Sequence, residues 1–130
     1  MKIKSSPWGK VDYQKDIAPG LAFVGTPSHG GFWLSPDRWA EFRHFFPTFR
    51  PFAGDGWLKE DIDYNLALLL WPEFFPPCDV AGAIHIVTTY DVGLNRPYFS
   101  EAHAWIKSGS LRAKAAQDWA ESKNEPIKAE

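Results

Sequence analysis

The chain is poor in the features that most often betray a function. Among its 130 residues there is one cysteine, Cys78, which has no partner for an internal disulfide. Covalent bridging therefore does not hold the fold, and a lone thiol fits a reducing compartment. With 14 Lys and Arg against 16 Asp and Glu the formal net charge is -2. That balance neither draws a protein to phosphate backbones nor imitates them, so nucleic acid is not an expected partner. The longest apolar stretch, Leu66 to Trp71, falls far short of the roughly 20 residues that cross a bilayer, so no membrane association is expected. The opening Met-Lys-Ile-Lys-Ser-Ser carries no apolar segment of the signal-peptide kind, and the expected location is cytoplasmic. Walker loops, Gly-x-Gly-x-x-Gly turns, Gly-x-Ser-x-Gly elbows, Cys-x-x-Cys and His-x-x-x-His spacings are all missing. Nucleotide enzymes and transition-metal sites are thereby disfavoured, and neither a cofactor nor a metal is expected.

Aromatics, by contrast, are abundant: seven Trp, ten Phe and four Tyr make up 16% of the chain. Each such ring covers roughly 150 to 250 Å² when buried, and a core of this size leaves some of them at the surface. The 45% hydrophobic and 23% charged content is that of a folding chain, and 130 residues are too few for two cores of ordinary size. Residues 1–130 accordingly read as a single α+β domain, with a polar tail over 124–130 expected to fray.

Val11 to Ile17 and Leu21 to Thr26 flank Ala18-Pro19-Gly20 and read as a β-hairpin, with Pro-Gly at the centre of a type II turn. Both phases of the second strand are apolar, which calls for cover on two faces. Phe32-Trp33-Leu34 adds a third strand. Ser35-Pro36-Asp37 is the order a helix start prefers, and the helix runs to about Phe46 with Trp39, Phe42, Phe45 and Phe46 on one face. Thr48 to Gly56 is a loop, and a second helix is expected from about Lys59 to Trp71, striped by Ile62, Leu66, Leu69 and Leu70 and stopped by Pro72. Asp79 to Tyr90 fits a helix or a strand, with helix preferred. Ser100 is expected to cap a last helical region, interrupted at Ser108-Gly109-Ser110 and resuming from Leu111 to about Ser122. The expected fold class is α+β: a small N-terminal antiparallel sheet, a hairpin plus a third strand, packed with three to four helices.

The segments Ser6-Pro7-Trp8-Gly9, Ile17-Ala18-Pro19-Gly20, Thr26-Pro27-Ser28-His29-Gly30-Gly31-Phe32, Leu34-Ser35-Pro36 and Gly56-Trp57-Leu58-Lys59-Glu60-Asp61 resemble a family of uncharacterised domains encoded on bacterial plasmids, integrated elements and phages. The resemblance covers about the first 75 residues. Where Lys59 stands, family members tend to carry a second acid, and where Ile62 stands a small residue. The resemblance implies a mobile-element setting, in which proteins that bind and block host defence machinery are a recurrent class.

Two sets of residues qualify as a site. The turn Ser28-His29-Gly30-Gly31 sets an imidazole beside two residues able to take positive φ, a geometry in which backbone N–H groups converge on an anion while His29 serves as acid or base. The same glycines also serve simply to reverse the chain. Asp55, Glu60, Asp61 and Asp63 gather at the expected start of the second helix, where each carboxylate gains roughly 0.3 to 1 kcal/mol from the helix dipole. With His29, the pair Glu60 and Asp61 would instead make a small hydrolytic or divalent-metal-dependent enzyme. The other set is aromatic. Trp8, Trp33, Phe49, Arg50, Phe52 and Trp57 fall in turns, strand ends or loops, and Trp, Tyr and Arg dominate interface anchors. The leading expectation is a non-enzymatic binding protein whose partner is a host protein complex, with inhibition of a defence system of the anti-CRISPR kind as its effect.

Overall fold

The structure, a computed structural model, describes residues 1–91 and 98–128. The chain divides into two compact units, Met1–Tyr64 and Asn65–Ile127.

The first unit opens with a small hairpin, β1 (Ser5–Ser6) and β2 (Gly9–Lys10), that the sequence reading does not anticipate. Its turn is closed by Ser6, whose Oγ donates to the Gly9 carbonyl at 2.9 Å and accepts from the Trp8 N–H at 3.2 Å. Four strands then form one antiparallel sheet in chain order: β3 (Tyr13–Ala18), β4 (Leu21–Gly25), β5 (Gly30–Leu34) and β6 (Trp57–Lys59). The β3–β4 turn is the Pro-Gly turn expected, with Gly20 at φ 77, the left-handed value its second central position demands. Register pairs Ala22 with Trp33 and Trp33 with Trp57, and likewise Phe23 with Phe32 and Phe32 with Leu58. Paired positions share a face, so Ala22, Val24, Trp33 and Trp57 lie on one side and Leu21, Phe23, Phe32, Leu34 and Leu58 on the other. The first side packs with Ile3, Trp8 and Val11. On the second, Tyr64 stacks on Phe32 at 5.6 Å and Phe23 meets Phe32 edge-on at 5.8 Å. The two apolar phases of β4 thus reflect cover on both faces.

Helix α1 (Pro36–Phe45) begins as its sequence directs: Ser35 Oγ accepts from the Arg38 N–H at 3.2 Å, and Pro36 occupies the first turn. Phe42 and Phe46 are fully buried, and Trp39 stacks on Phe42 at 5.1 Å.

The second unit is helical: α2 (Asn65–Leu70), a 3-10 turn at Pro72–Phe74, α3 (Pro77–Thr89), α4 (Ser100–Lys107) and α5 (Leu111–Ala120). All six residues of α2 are buried, and α3 packs on both α2 and α5. Val80, Ala83 and Val87 of α3, Ala102 and Ile106 of α4, and Ala113 and Ala116 of α5 are buried. The Leu70 carbonyl at the end of α2 has no intrahelical donor, and Arg112 supplies one from Nη2 at 2.8 Å. Trp119 Nε1 donates to the Phe75 carbonyl at 2.9 Å. Of the expected tail, Ala129 and Glu130 lie outside the described residues, while Ile127 N–H donates to the Glu73 carbonyl at 2.6 Å.

Among the described residues, antiparallel sheets together with five helices make the fold α+β, as expected, with one helix more than the three to four foreseen. Two details differ, and one open choice is decided. The helix expected from Lys59 begins only at Asn65, because Trp57–Lys59 pairs with β5 as a fourth strand and Asp61 takes φ 75, a left-handed value that no helix interior accommodates. Ser100 does not cap α4; Phe99 holds the cap position and Ser100 is the first helical residue. The 79–90 ambiguity resolves to helix. Among the described residues no helix is long and apolar enough to cross a membrane.

Candidate functional site

The connection between α1 and β6, from Pro47 to Gly56, is irregular but held at several points. Arg43 on α1 donates from its guanidinium to the Pro47 and Phe49 carbonyls and lies 5.5 Å from the Trp39 ring centre. Phe49 is only 6% exposed and meets Phe42 edge-on, which roots the first half of the loop in the core. The Gly54 N–H donates to Pro51 O, and the Trp57 N–H to Gly54 O, both at 3.2 Å. The decisive contact is Asp63, a carboxylate only 1% exposed whose Oδ2 accepts the Phe52 N–H at 2.8 Å. Charge-assisted bonds of this kind are stronger than neutral ones, and here one fixes the backbone at the loop tip.

On that fixed backbone the Phe52 ring stands 80% exposed, with Arg50 exposed beside it in sequence. Among the described residues Phe52 is the one Phe or Trp in the exposed class. The six aromatic and arginine candidates therefore separate. Phe49 belongs to the core. Trp8, Trp33 and Trp57 are half-buried around Ile3, Ala22 and Val24, and Trp8 meets Trp57 edge-on at 5.7 Å. Arg50 and Phe52 alone of the six are exposed.

The His29 turn proves to be built differently from the anion-cradling arrangement. Gly30 and Gly31 do not adopt positive φ; both lie in β5, paired with Gly25 and Val24. Their lack of a side chain serves space, since a Cβ at Gly31 would fall 2.4 Å from the Leu58 carbonyl oxygen and 2.6 Å from the Trp8 ring. The turn itself is held by Thr26, whose N–H and Oγ1 both donate to His29 O, at 2.8 and 2.7 Å. The imidazole is on an exposed residue. Sheet pairing does bring Glu60 to this turn: its N–H donates to Gly30 O at 3.0 Å, and its Oε2 lies 3.5 Å from where a Gly30 Cβ would be. Asp61 is exposed, and Asp63 is committed to the Phe52 N–H. Among the described residues no group of three or more His, Cys, Asp or Glu is placed to hold a metal ion.

An α+β chain with this sheet order and a helical second unit matches a family described as Domain of unknown function (DUF7007), over residues 1–124. The chain belongs to that family, and the match extends well past the first 75 residues that carry the motif resemblance. Neither a curated protein nor a solved structure matches the chain.

Proposed function

We propose that the chain works by binding another protein, with Phe52 and Arg50 at the tip of the Pro47–Gly56 loop as its anchor. The observation that carries this reading is an exposed phenylalanine on a backbone fixed by a buried carboxylate. Interface energy concentrates in a few aromatic and arginine side chains, and an anchor held in place before binding loses little freedom on association. The Ser-His-Gly-Gly and Gly-Trp-x-x-Glu-Asp segments add, by resemblance, a plasmid or phage setting. In that setting the partner is a host defence complex in the cytoplasm and the effect is inhibition, of the anti-CRISPR kind. The test compares wild type with Phe52→Ala in capture from a bacterial host lysate and in phage plaquing on cells with an active defence system. A defence component retained by wild type and lost with Phe52→Ala, together with raised plaquing by wild type alone, is the expected result. Failure of wild type to change plaquing on any defended host would remove the defence role.

The Glu60 carboxylate beside the His29 turn favours a second reading, a small hydrolytic enzyme using His29 with Glu60 and Asp61, or a metal-dependent one in which the ion itself draws these three groups together. Calorimetric titration with magnesium and calcium, on wild type and Glu60→Gln, checks the metal-dependent form. Identical heats for the two proteins eliminate that form.

A further inference from the structure

We infer that the unit Met1–Tyr64 carries a second recognition site, a cleft that takes an arginine-bearing segment of a protein partner. The inference rests on the protein-binding reading for the nature of its occupant. The cleft, of about 770 Å³, lies between the sheet and the start of α1, and its lining includes Asp16, Ala22, Trp33, Asp37, Arg38 and Glu41. Pockets of this size hold several groups of a ligand at once, more than a single side chain.

Its walls are set by hydrogen bonds to two backbone carbonyls. The Ser35 N–H donates to Gly20 O at 2.8 Å, and Arg38 Nε donates to Pro19 O at 2.9 Å. Together these bonds tie the first turn of α1 to the β3–β4 turn. Gly20 is required there, since a Cβ on it would fall 2.3 Å from Ser35 Oγ. Asp37 and Glu41, four residues apart on α1, share one side of the helix. On β3, Asp16 Oδ1 accepts from Gln14 Nε2 at 2.8 Å, and Gln14 is itself held by the Met1 carbonyl and the Ile3 N–H. The Asp16 carboxylate is thus held by Gln14, a neighbour that lines the same cleft.

The chemistry of the cleft selects a guanidinium. Three carboxylates line it against one guanidinium, that of Arg38, which is 4.0 Å from Glu41 and bonded to Pro19 O. The Met1 α-ammonium is a second cation in the lining, so the surplus is one negative charge, and Trp33 contributes a half-buried indole to the same lining. A planar cation stacks on an indole face while its N–H fork meets a carboxylate, whereas a lysine ammonium has neither the plane nor the fork.

The test titrates the whole chain with the capped peptide Gly-Arg-Gly-Arg-Gly and with the same peptide carrying citrulline, the neutral isostere, for arginine. Calorimetry reads affinity, and NMR shifts of the Trp33 indole and the Asp16 and Ala22 amides report location. The arginine peptide is expected to bind at least about fivefold more tightly than the citrulline peptide, and Asp16→Asn and Asp37→Asn each to weaken it about threefold. Asp37 sits in the first turn of α1 and its loss touches the helix, so Asp16→Asn, on an exposed residue, decides the matter if Asp37→Asn unfolds. Equal affinity for the two peptides, shifts confined to other residues, or no binding up to about 1 mM overturns the inference. Phe52→Ala separates the two sites. Peptide affinity unchanged by Phe52→Ala upholds the cleft even where partner capture fails, and capture by wild type without peptide binding removes the cleft and leaves the loop.

Discussion

Asp63 is one of four acids between Asp55 and Asp63, and composition does not distinguish it from the others. Burial does, because a carboxylate 1% exposed must be satisfied from within, and the Phe52 N–H is one of the donors that satisfy it. Asp63→Ala is therefore expected to lower stability by about 1 to 3 kcal/mol, while Asp55→Ala, at an exposed residue, stays within about 0.5 kcal/mol. Urea midpoints of the two variants measure the difference; equal midpoints would mean that Asp63 does not brace the loop. Gly31 makes the parallel case among the glycines. A methyl group there meets Leu58 backbone at 2.4 Å, and backbone yields less than a flexible side chain, so Gly31→Ala should destabilise by about 1 to 3 kcal/mol or more. Gly82→Ala, where a Cβ meets nothing within 4 Å on a helix, should not destabilise at all, since alanine is the better helix former. Thermal melts of the two alanine variants check the contrast.

At the scale of elements, α2 is a helix of six residues, shorter than any helix stable alone in water, and it exists because every side chain on it is buried. Leu66, at 0% exposure, is expected to cost roughly 2 to 5 kcal/mol when replaced by alanine, through the cavity left behind. A loss under about 0.5 kcal/mol in equilibrium unfolding would show that the site collapses around the smaller side chain. The stretch Lys59–Trp71 was only half legible for a related reason. Apolar residues at Ile62, Leu66, Leu69 and Leu70 fit helical spacing, but the same letters arise when a short half-buried strand, a turn and a wholly buried helix follow one another. Gly56 at φ 84 and Asp61 at φ 75 break the chain on either side of β6, and a left-handed aspartate leaves no sequence signature. Where local chemistry is self-sufficient, the sequence reads through to the structure: the Pro19-Gly20 turn and the Ser35 cap need only neighbouring atoms. Of the interface candidates, Phe52 was legible as a loop aromatic, whereas the burial of Phe49 depends on Phe42, seven residues away on another element. The cleft was not legible, because its lining is drawn from β3, β4, β5 and α1, and only Asp37 and Glu41 hint at it by their spacing.

For the molecule as a whole, a net charge of -2 gives no strong long-range field, so steering contributes little to encounters with a partner. Recognition then depends on what happens at contact, and the two surfaces proposed here respond differently to salt. Coulombic attraction at the acidic cleft weakens as the Debye length shrinks from about 10 Å at 0.1 M to about 3 Å at 1 M. Burial of the Phe52 ring is not screened. Phe52→Ala should therefore raise the partner dissociation rate by roughly 30-fold, the kinetic equivalent of about 2 kcal/mol, since interface substitutions act mainly on dissociation. The ratio of mutant to wild-type rates should hold within about twofold from 0.05 to 0.5 M salt, even as both affinities fall through the cleft. Surface plasmon resonance on the captured partner gives both rates at each salt concentration. A ratio that drops steeply with salt would mean that Phe52 acts by positioning the Arg50 charge and not by its own burial. A ratio near one at every concentration, in a variant with unaltered melting, would move the interface off the loop altogether.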